Sequence, residues 1–403
     1  MQEIKKINLS LVLNDVAKFI SSKIEVSEIN VSNYISTENM LPNKGGITTA
    51  SSLPDTKSVR EYIPKDILIN NIRPYFKKIW YSDMEGGCSN DIYVLRSNEN
   101  YDSKFLYYVL SSDDFFSYVM ANAKGTKMPR GDKKAIQNYK VPNFSIDKQK
   151  KISSFLGEID RKIEINKKLN KNLEESIKNI FKHYFIDFIP FKDKGYPEGW
   201  LSLNLGNVVS DANTGADAIK KAPIVDYDTG IKCVRVGDMT NSRRIDEWGF
   251  ANVNEENFDK YQLKKEDIIV TRTATLGLNY FITEDLDAVY NNGLIRIKIN
   301  KNKALPLFIY YYLNTSDYNH YIDCIEGESS TRPNMKINYL LKYPIICPPL
   351  KIQKEFIDLI DSLFWMKENI FYQIVELTRL RDTLLPKLMS GEIDVSKINC
   401  DLE

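Results

Sequence analysis

The 403-residue sequence contains only two histidines and five cysteines. No two cysteines have the C-x-x-C spacing of a zinc or redox motif, and isolated thiols are typical of proteins from reducing compartments. The cysteines are Cys88, Cys233, Cys324, Cys347 and Cys400. The histidines, His183 and His320, lie in opposite halves of the chain, and we expect both to be packing or surface residues. We therefore expect no metal site in this chain.

Long apolar runs are also missing. The longest, such as Tyr343 to Leu350, are too short and too interrupted by proline to span a bilayer. The opening MQEIKKINLS has no apolar core of the kind that secretory signals carry, so we expect a cytoplasmic protein. The 55 basic and 54 acidic residues leave a net charge of +1, which gives no support to DNA binding and does not exclude it.

Motifs of the common nucleic-acid enzymes are absent. The sequence has no G-x4-GK[ST] loop to hold a nucleotide triphosphate and no glycine-rich methyl-donor loop after a strand. Cys347-Pro348-Pro349 is followed by Leu350, so it lacks the order of the adenine-methylating tetrapeptide. Pro54, Asp55 and Lys57 match only a fragment of a nuclease site. We therefore expect a chain that is not an enzyme.

The most informative feature that is present is an internal duplication. Asp66 and Asp267, each followed by two aliphatic residues, lie 201 positions apart, and later matches lie 202 to 204 positions apart in the same order. These later pairs are Phe105 with Phe308, Gly125 with Gly327, Arg130 with Arg332, Pro142 with Pro344, Gln149 with Gln353 and Leu173 with Leu377. A nearly constant offset indicates two copies of one ancestral unit.

Each half is predicted to be a mixed module followed by a long helix. Short β-rich runs bounded by turn formers predict strands, and apolar residues three and four positions apart predict helices. The predicted strands are Asp66–Asn70, Asp91–Arg96, Asp267–Thr271 and Leu294–Ile299, and the predicted helices lie near Lys104–Met120 and Pro306–Ile325. Segments rich in Gly, Ser, Thr and Asn, such as Asn43–Ser52 and Ser210–Gly215, are predicted to be loops.

Two long helices are predicted over Lys148–Phe185 and Lys351–Met389, where apolar residues recur at helical spacing. About 37 residues would form a helix about 55 Å long. Because a small module cannot cover so long an apolar stripe, we expect the two helices to pack on each other as a coiled coil. The linker Ile186–Trp200 is too short to return along a helix, so an antiparallel pairing is favoured.

Several segments resemble a known family of DNA-recognition proteins. They are KDILINNIRPYFKK (Lys65–Lys78), KEDIIVTRTATLG (Lys265–Gly277), Pro142 with Gln149 and Lys150, PPLKIQKEF (Pro348–Phe356), YPEGW (Tyr196–Trp200) and LRDTLLPKLMSGEI (Leu380–Ile393). Together they are similar, in order and over essentially the whole chain, to the specificity subunit of type I restriction–modification systems. The end of the first long helix, FKHYFIDF, departs from the tail of the second, an asymmetry that the family also has.

The resemblance implies an α+β fold with two similar target recognition domains, related by pseudo-two-fold symmetry and joined by two long helices in an antiparallel coiled coil. The resemblance implies that residues 1–147 form the first recognition domain and residues 148–187 the first spacer helix. Residues 188–350 would form the linker and the second recognition domain, and residues 351–403 the second spacer helix with the C-terminal tail. The implied function is recognition of a two-part DNA sequence with a non-specific gap. Implied partners are double-stranded DNA, two copies of an adenine-N6 methyltransferase subunit and a translocase–endonuclease subunit. S-adenosylmethionine, ATP and magnesium would serve those partners, and this chain would need no cofactor.

Basic residues in glycine-punctuated loops are the candidates for DNA contact, because phosphates are bound by Lys and Arg and base edges by Arg, Asn and Thr. The loop AKGTKMPRGDKK (Ala123–Lys134) and the matching GESSTRPNMK (Gly327–Lys336) share a Gly-x4-Arg pattern. The candidates in these two loops are Lys124, Lys127, Arg130, Lys133, Lys134, Thr331, Arg332 and Lys336. Arg73 and Lys77 in an earlier loop, and Arg235, Arg243, Arg244 and Arg272 elsewhere in the second module, are further candidates. A solvated basic surface remains the alternative for each of them.

Two other groups of residues have a structural interpretation that we favour. Asn70, Asn71 and Thr271 follow strands and could contact base edges, but such residues more often cap turns. The aromatic clusters Phe115–Tyr118 and Tyr310–Tyr312 could stack on bases, but their helical spacing favours a place in the core. For the whole chain, two alternatives to the specificity subunit stay open: a stand-alone metal-dependent nuclease and a coiled-coil scaffold that binds only protein.

Overall fold

The computed structural model describes residues 10–194, 197, 199–217, 219–241, 243, 245–327 and 333–394. The chain forms two compact units, Met1–Lys167 with Phe371–Glu403, and Lys168–Ile370. Each unit therefore contains one mixed α/β module and a stretch of each of the two long helices. Among the described residues, no helix combines the length and the apolar character needed to cross a membrane.

The first unit contains three groups of paired strands and a set of helices. Its strands are β1 (Ser10–Val12), β2 (Ala17–Phe19), β3 (Lys23–Glu25), β4 (Tyr34–Ile35), β5 (Ser58–Tyr62), β6 (Ile67–Asn70), β7 (Ile79–Tyr81), β8 (Gly86–Cys88), β9 (Ile92–Ser97) and β10 (Lys140–Pro142). Its helices are α1 (Leu13–Val16), α2 (Ser103–Leu110), α3 (Asp113–Ala121), α4 (Lys133–Gln137) and the start of α5 (Ile146–Phe185). The strands form two four-stranded sheets, β2-β9-β6-β7 and β3-β5-β8-β4, and the pair β1-β10.

The second unit is built in the same way. Its strands are β11 (Leu201–Asn204), β12 (Val209–Thr214), β13 (Ile224–Val225), β14 (Lys232–Val234), β15 (Gly249–Ala251), β16 (Ile268–Thr271), β17 (Asn279–Phe281), β18 (Ala288–Tyr290), β19 (Leu294–Ile299) and β20 (Pro344–Cys347). Its helices are α6 (Val236–Thr240), α7 (Glu255–Tyr261), α8 (Pro306–Tyr312), α9 (Ser316–Gly327), α10 (Ile337–Leu341) and the start of α11 (Leu350–Ser390). The sheets are β12-β19-β16-β17 and β13-β15-β14-β18, with the pair β11-β20.

The central strand β6 explains why the modules are layered. All four of its residues are buried, so both faces of the strand are covered. Ile67 and Ile69 face a core formed with α2 and α3, whereas Leu68 faces a separate core formed with the second sheet. In the other unit β16 is buried in the same way. Each module is thus a helical layer, a first sheet and a second sheet.

The first sheet is built in the same way in both modules, whereas the second sheet differs between them. The first sheets have the same strand order, with β2, β9, β6 and β7 matched by β12, β19, β16 and β17. In the second sheets, the strand that precedes β9 in the chain is internal (β8), whereas the strand that precedes β19 is at the edge (β18). The duplication is therefore retained in the scaffold and has diverged in the outer sheet.

A buried glutamine near the start of each long helix binds the same groups in both units. Gln149 accepts a hydrogen bond from the Asp102 N–H (2.8 Å) and donates one to the Phe144 carbonyl (2.7 Å). Gln353 accepts from the Leu305 N–H (2.8 Å) and donates to the Pro348 carbonyl (2.8 Å). Both side chains therefore satisfy backbone groups that burial would otherwise leave unpaired. The two glutamines, which match in the sequence, therefore also have equivalent places in the structure.

The predicted antiparallel pairing of the long helices is confirmed within each unit. In the first unit, Asp160 of α5 contacts Arg381 of α11 (2.9 Å), and six residues further on, Asn166 contacts Gln373 (3.2 Å). As the residue number rises on one helix it falls on the other, which defines an antiparallel pair.

The second unit shows the same direction. Asn170 of α5 donates a hydrogen bond to the Lys367 carbonyl of α11 (2.8 Å). Further along α5, the rings of Phe181 and Phe356 lie 5.4 Å apart. The two aromatic side chains are buried in one core with residues of α8.

One of the sequence predictions about secondary structure was wrong, and each of the two predicted helical regions is divided into two helices. Ser210–Gly215 was predicted to be a loop, but β12 covers Val209–Thr214 and pairs with β19. Its polar side chains are tolerated because this is an edge strand. The helix predicted near Lys104–Met120 is two helices, and the side chain of Ser112 caps the second by accepting from the Phe115 N–H. The helix predicted near Pro306–Ile325 is likewise divided into α8 and α9.

Candidate DNA interface

The structure brings together the two basic loops predicted in the first module. One is the turn between β6 and β7, residues 71–78, and the other is residues 122–132, between α3 and α4. The Arg73 N–H donates to the Pro129 carbonyl (2.8 Å), and the Gly131 N–H donates to the Asn71 carbonyl (3.2 Å). Arg73 and Arg130 therefore lie on adjoining backbone segments although 57 positions separate them in the sequence. We call these two segments the basic loops.

A third segment joins them. The Asn43 N–H donates to the Phe76 carbonyl (2.8 Å) and the Lys44 N–H to the Lys77 carbonyl (2.9 Å). Asn43, Lys44, Arg73 and Lys77 all have left-handed backbone conformations, with φ between 50° and 61°. Such conformations cost free energy in non-glycine residues and concentrate at functional sites. Sequence reasoning missed Lys44, because its loop has no counterpart pattern in the other half.

Acidic side chains hold several of the basic groups. Lys77 Nζ lies 2.8 Å from Asp113 Oδ1, and the Lys44 ammonium lies 3.6 Å from the same atom. The hydrogen bond from Lys77 keeps the pKa of Asp113 below its usual value. The carboxylate of Asp113 thus fixes the position of two cations at the edge of the loops.

The remaining candidates of the first module lie on its surface. Lys124 pairs with Asp132, and Arg130 Nη2 lies 3.3 Å from Asp91 Oδ1. Lys133 Nζ lies 4.7 Å from the centre of the Phe19 ring, a cation–π distance. Lys127 and Lys134 are exposed. The surface of this region is therefore positively charged and open to solvent.

A polar groove lies next to the basic loops and was not predicted from the sequence. Hydroxyl and amide side chains line it, with Asp91 at one side, where Arg130 pairs with it. Its lining includes Ser36, Thr37, Asn39, Thr48, Thr49 and Ser89. Groups that both donate and accept hydrogen bonds suit the edges of bases. The serine- and threonine-rich composition of residues 36–52 was the available signal.

In the second module the corresponding loops also meet, but Arg272 is committed to holding them together. Its Nε donates to the Met335 carbonyl (3.0 Å), its Nη1 to the Asn292 carbonyl (3.1 Å) and its Nη2 to Asn334 Oδ1 (2.7 Å). Burial lowers the pKa of this guanidinium from its usual value. Lys336, on the same loop, is exposed.

The structural register of the second loop differs from the sequence match by two residues. Arg130 forms a β-bridge with Ile72, and in the second module Asn334 forms the equivalent bridge with Thr273. Asn334, not Arg332, therefore occupies the place of Arg130. Arg332, Thr331 and the candidate Arg244 lie outside the described residues.

Arg235 and Arg243 converge on one buried carboxylate. Arg235 Nε lies 3.3 Å from Asp238 Oδ2, and Arg243 Nη1 lies 3.1 Å from Asp238 Oδ1. Asp238 is buried and caps the start of α6 by accepting from the Arg235 N–H. Both guanidinium groups are thus held in place by one carboxylate.

Of the residues for which we favoured a structural role, Asn70, Thr271 and the aromatic clusters have one, whereas the side-chain oxygen of Asn71 is buried without a hydrogen-bond partner among the described residues. Asn70 donates to the Ile72 carbonyl (2.6 Å), and Thr271 accepts from the Leu278 N–H (2.9 Å), so both stabilise turns. Phe115, Phe116 and Tyr310–Tyr312 are buried in the cores. His183 and His320 are exposed. Within the described part of the chain, His, Cys, Asp and Glu side chains do not form a group of three able to hold a metal ion.

Replacing Arg272 with alanine is expected to lower the free energy of unfolding by about 1–3 kcal/mol, because the carbonyl of the buried Met335 and two exposed acceptors lose a charged donor. Chemical denaturation of the purified protein measures this. Lys336→Ala is the control, since an exposed side chain of the same loop should change stability by less than about 0.5 kcal/mol. Equal stability of the two variants would contradict the structural role of Arg272.

A sequence model of the family described as "Type I restriction modification DNA specificity domain" matches the chain twice, at residues 11–175 and 197–371. The type I restriction enzyme MjaIX specificity subunit of Methanocaldococcus jannaschii is 28% identical over 316 residues, 73% of this chain and 70% of that protein. The HindI specificity subunit of Haemophilus influenzae is 21% identical over 94% of this chain and 98% of its own length.

The fold is shared with a solved structure. The crystal structure of a type I restriction–modification S subunit from M. genitalium superimposes with a TM-score of 0.59, at 15% identity, over 96% of this chain and 98% of that one. The resemblance drawn from the sequence motifs, and with it the duplicated α+β architecture, is thereby confirmed.

Proposed function

This chain belongs to the family of type I restriction–modification DNA specificity subunits, and from that premise we propose that each of its modules recognises one half of a two-part DNA sequence. The observation that carries the proposal is the double match of the family model, one match for each module. In each module, the loop after the central strand of the first sheet meets a second loop through a β-bridge, Ile72 with Arg130 and Thr273 with Asn334. DNA recognition rather than catalysis is the role that the family assignment gives to this chain.

Two modules on one chain act as a bivalent ligand. Once the first half-site is bound, the second module meets its own half-site at an effective concentration of the order of millimolar. Each well-placed pair of hydrogen bonds to a base edge discriminates by about 1–3 kcal/mol. Two half-sites together therefore supply a specificity that a single small module cannot.

We propose that the paired helices set the gap between the half-sites and bind the catalytic partners. The helices support this because α5 and α11 extend over 40 and 41 residues and pack antiparallel in both units. The partners would be two adenine-N6 methyltransferase subunits and a translocase–endonuclease subunit. They would bring S-adenosylmethionine, ATP and magnesium, and this chain would contribute the choice of sequence.

DNA binding by the complex with the methyltransferase is expected to depend on Lys127, Lys133 and Lys134. Replacing all three with alanine should weaken binding to specific and unrelated duplexes alike. The slope of log K against log salt should become less steep by about 0.9 for each phosphate that the variant no longer neutralises. Fluorescence anisotropy over a range of salt concentrations measures both quantities, and the Lys→Arg triple variant is the control that keeps the charge.

Three outcomes would contradict this account. An unchanged salt slope in the alanine variant would place DNA elsewhere on the protein. DNA cleavage by the purified chain with magnesium and no partner would indicate a nuclease. Failure of the complex to bind any duplex would indicate a scaffold that binds only protein.

A further inference from the structure

The turn between β6 and β7 carries two exposed aromatic side chains among its basic residues. Tyr75 is 47% exposed and Phe76 is 38% exposed. Their ring centroids lie 4.6 Å apart and the ring planes are tilted by 51°. They belong to a single 3-10 turn, Pro74–Phe76, so they form one compact apolar tip. Exposed apolar side chains that adjoin each other, rather than lying scattered, can mark a binding surface.

The backbone of this turn is held firmly. Pro74 fixes one torsion, and the residues on both sides of the turn, Arg73 and Lys77, each have φ of 50°. The Phe76 carbonyl accepts from the Asn43 N–H (2.8 Å), so the tip is tied to the neighbouring loop. A rigid aromatic pair loses little conformational entropy when it is buried against a ligand.

The second module shows that the fold does not require this tip. Its equivalent turn also has left-handed residues at its two sides, Ala274 (φ 64°) and Gly277 (φ 78°). Between them lie Thr275 and Leu276, and Leu276 is only 6% exposed. This turn has two residues between its left-handed residues, one fewer than the turn of the first module, and its apolar residue is buried. The exposed pair is a specific feature of the first module.

Basic side chains lie next to the aromatic tip, and Asp113 balances part of their charge. Lys77 and Lys44 lie beside it, and Lys78 Nζ lies 5.9 Å from the centre of the Phe76 ring. Within the described residues, Arg73 Nε is buried without a hydrogen-bond partner. An apolar tip with a cationic rim is the arrangement with which proteins insert side chains between base pairs while binding the adjacent phosphates.

We propose that Tyr75 and Phe76 form a wedge that stacks against the bases of the half-site bound by the first module and partly unstacks one base step. The idea rests on the proposed function and adds a mode of recognition to it. Because unstacking is easiest at pyrimidine–purine steps, the first module would favour sequences that deform readily, whereas the second would not use this contact.

The test compares the wild type with Tyr75→Thr/Phe76→Leu in the complete complex with the methyltransferase. These substitutions replace both rings with residue types found in the shorter turn of the second module, and because both side chains are exposed and Pro74 is kept, we expect the fold to be retained. Loss of stacking on one or two bases should lower the affinity for the specific duplex roughly tenfold or more. Tyr227→Ala, which removes a 56% exposed tyrosine from the second module, should leave affinity unchanged.

A second measurement distinguishes stacking from other contacts. 2-Aminopurine is placed at each step of the half-site other than the methylated adenine, which the methyltransferase itself extrudes. Wild-type complex should change the fluorescence at one step, and the double variant should not. Tyr75→Trp should preserve both affinity and the fluorescence change, because it keeps an aromatic ring at the tip.

Each outcome separates the wedge from the proposed function. Specific binding by the wild type with equal affinity in the double variant would overturn the wedge and leave the proposed function intact. A double variant that loses the methyltransferase subunit rather than DNA would show that the tip is a protein interface, which also overturns the wedge. A wild-type complex that binds no specific duplex would overturn the proposed function itself.

Discussion

Exchanging residues 201–346 for the equivalent part of another type I specificity subunit is expected to change one half of the methylated DNA sequence completely and to leave the other half unchanged. The reason is modularity: the exchanged segment contains the two sheets of the second module and their helices, and the first module keeps its own cores. Methylation-aware sequencing of DNA from cells that express the hybrid and its methyltransferase measures both halves at once.

The boundaries of the exchange are compatible with folding. They fall within the pair β11-β20, where Leu201 pairs with Cys347, so the backbone ladder can be rebuilt by residues of the incoming module. Gln353 stays with the host helix and continues to accept from the backbone N–H of the module. The control is a hybrid gene in which the same segment is replaced by a copy that encodes the identical amino-acid sequence. A change in both half-sites, or in neither, would refute the assignment of one module to each half.

Adding seven residues to each spacer helix is expected to lengthen the non-specific gap by about three base pairs. Seven residues extend a helix by about 10 Å at a rise of 1.5 Å per residue, and DNA advances 3.4 Å per base pair. A whole heptad is needed because it keeps the apolar stripes of the two helices facing each other. The gap is measured from the methylated motif.

The insertions must face each other to preserve the pairing. Asn166 and Gln373 contact each other in the first unit, and Asn170 contacts Lys367 in the second. Insertion between Asn166 and Asn170 on α5, and between Lys367 and Gln373 on α11, therefore lengthens both helices at matching positions. Insertion into α5 alone is the control and should abolish specific methylation. An unchanged gap after the double insertion would show that the helices do not set the spacing.

The long helices could be predicted from the sequence because their apolar residues recur at helical spacing, and the duplication because matched residues recur at a nearly constant offset. The offset between Asp66 and Asp267 marks the same turn in both modules, where each carboxylate accepts a backbone N–H three residues earlier. The matched glutamines likewise have the same partners. Local hydrogen bonding of this kind leaves a sequence signal that survives divergence.

The rest depended on contacts that sequence spacing does not encode. The meeting of the basic loops is set by backbone hydrogen bonds between Arg73 and Pro129, far apart in the chain. Whether an arginine is available for DNA is decided by its neighbours, and Arg272 holds a loop through Met335 and Asn334. The exposure of Tyr75 could not be predicted from the sequence, because aliphatic residues followed by aromatic residues are typical of an ordinary strand end.

The most direct test of the account is the methylated sequence itself. Long-read sequencing that detects N6-methyladenine should be applied to cells that express this chain with its methyltransferase partner, and to cells that express the partner alone. The account predicts one motif with two defined parts and a fixed undefined gap, present only when this chain is expressed. A continuous motif without a gap, or the same methylation in both strains, would contradict it.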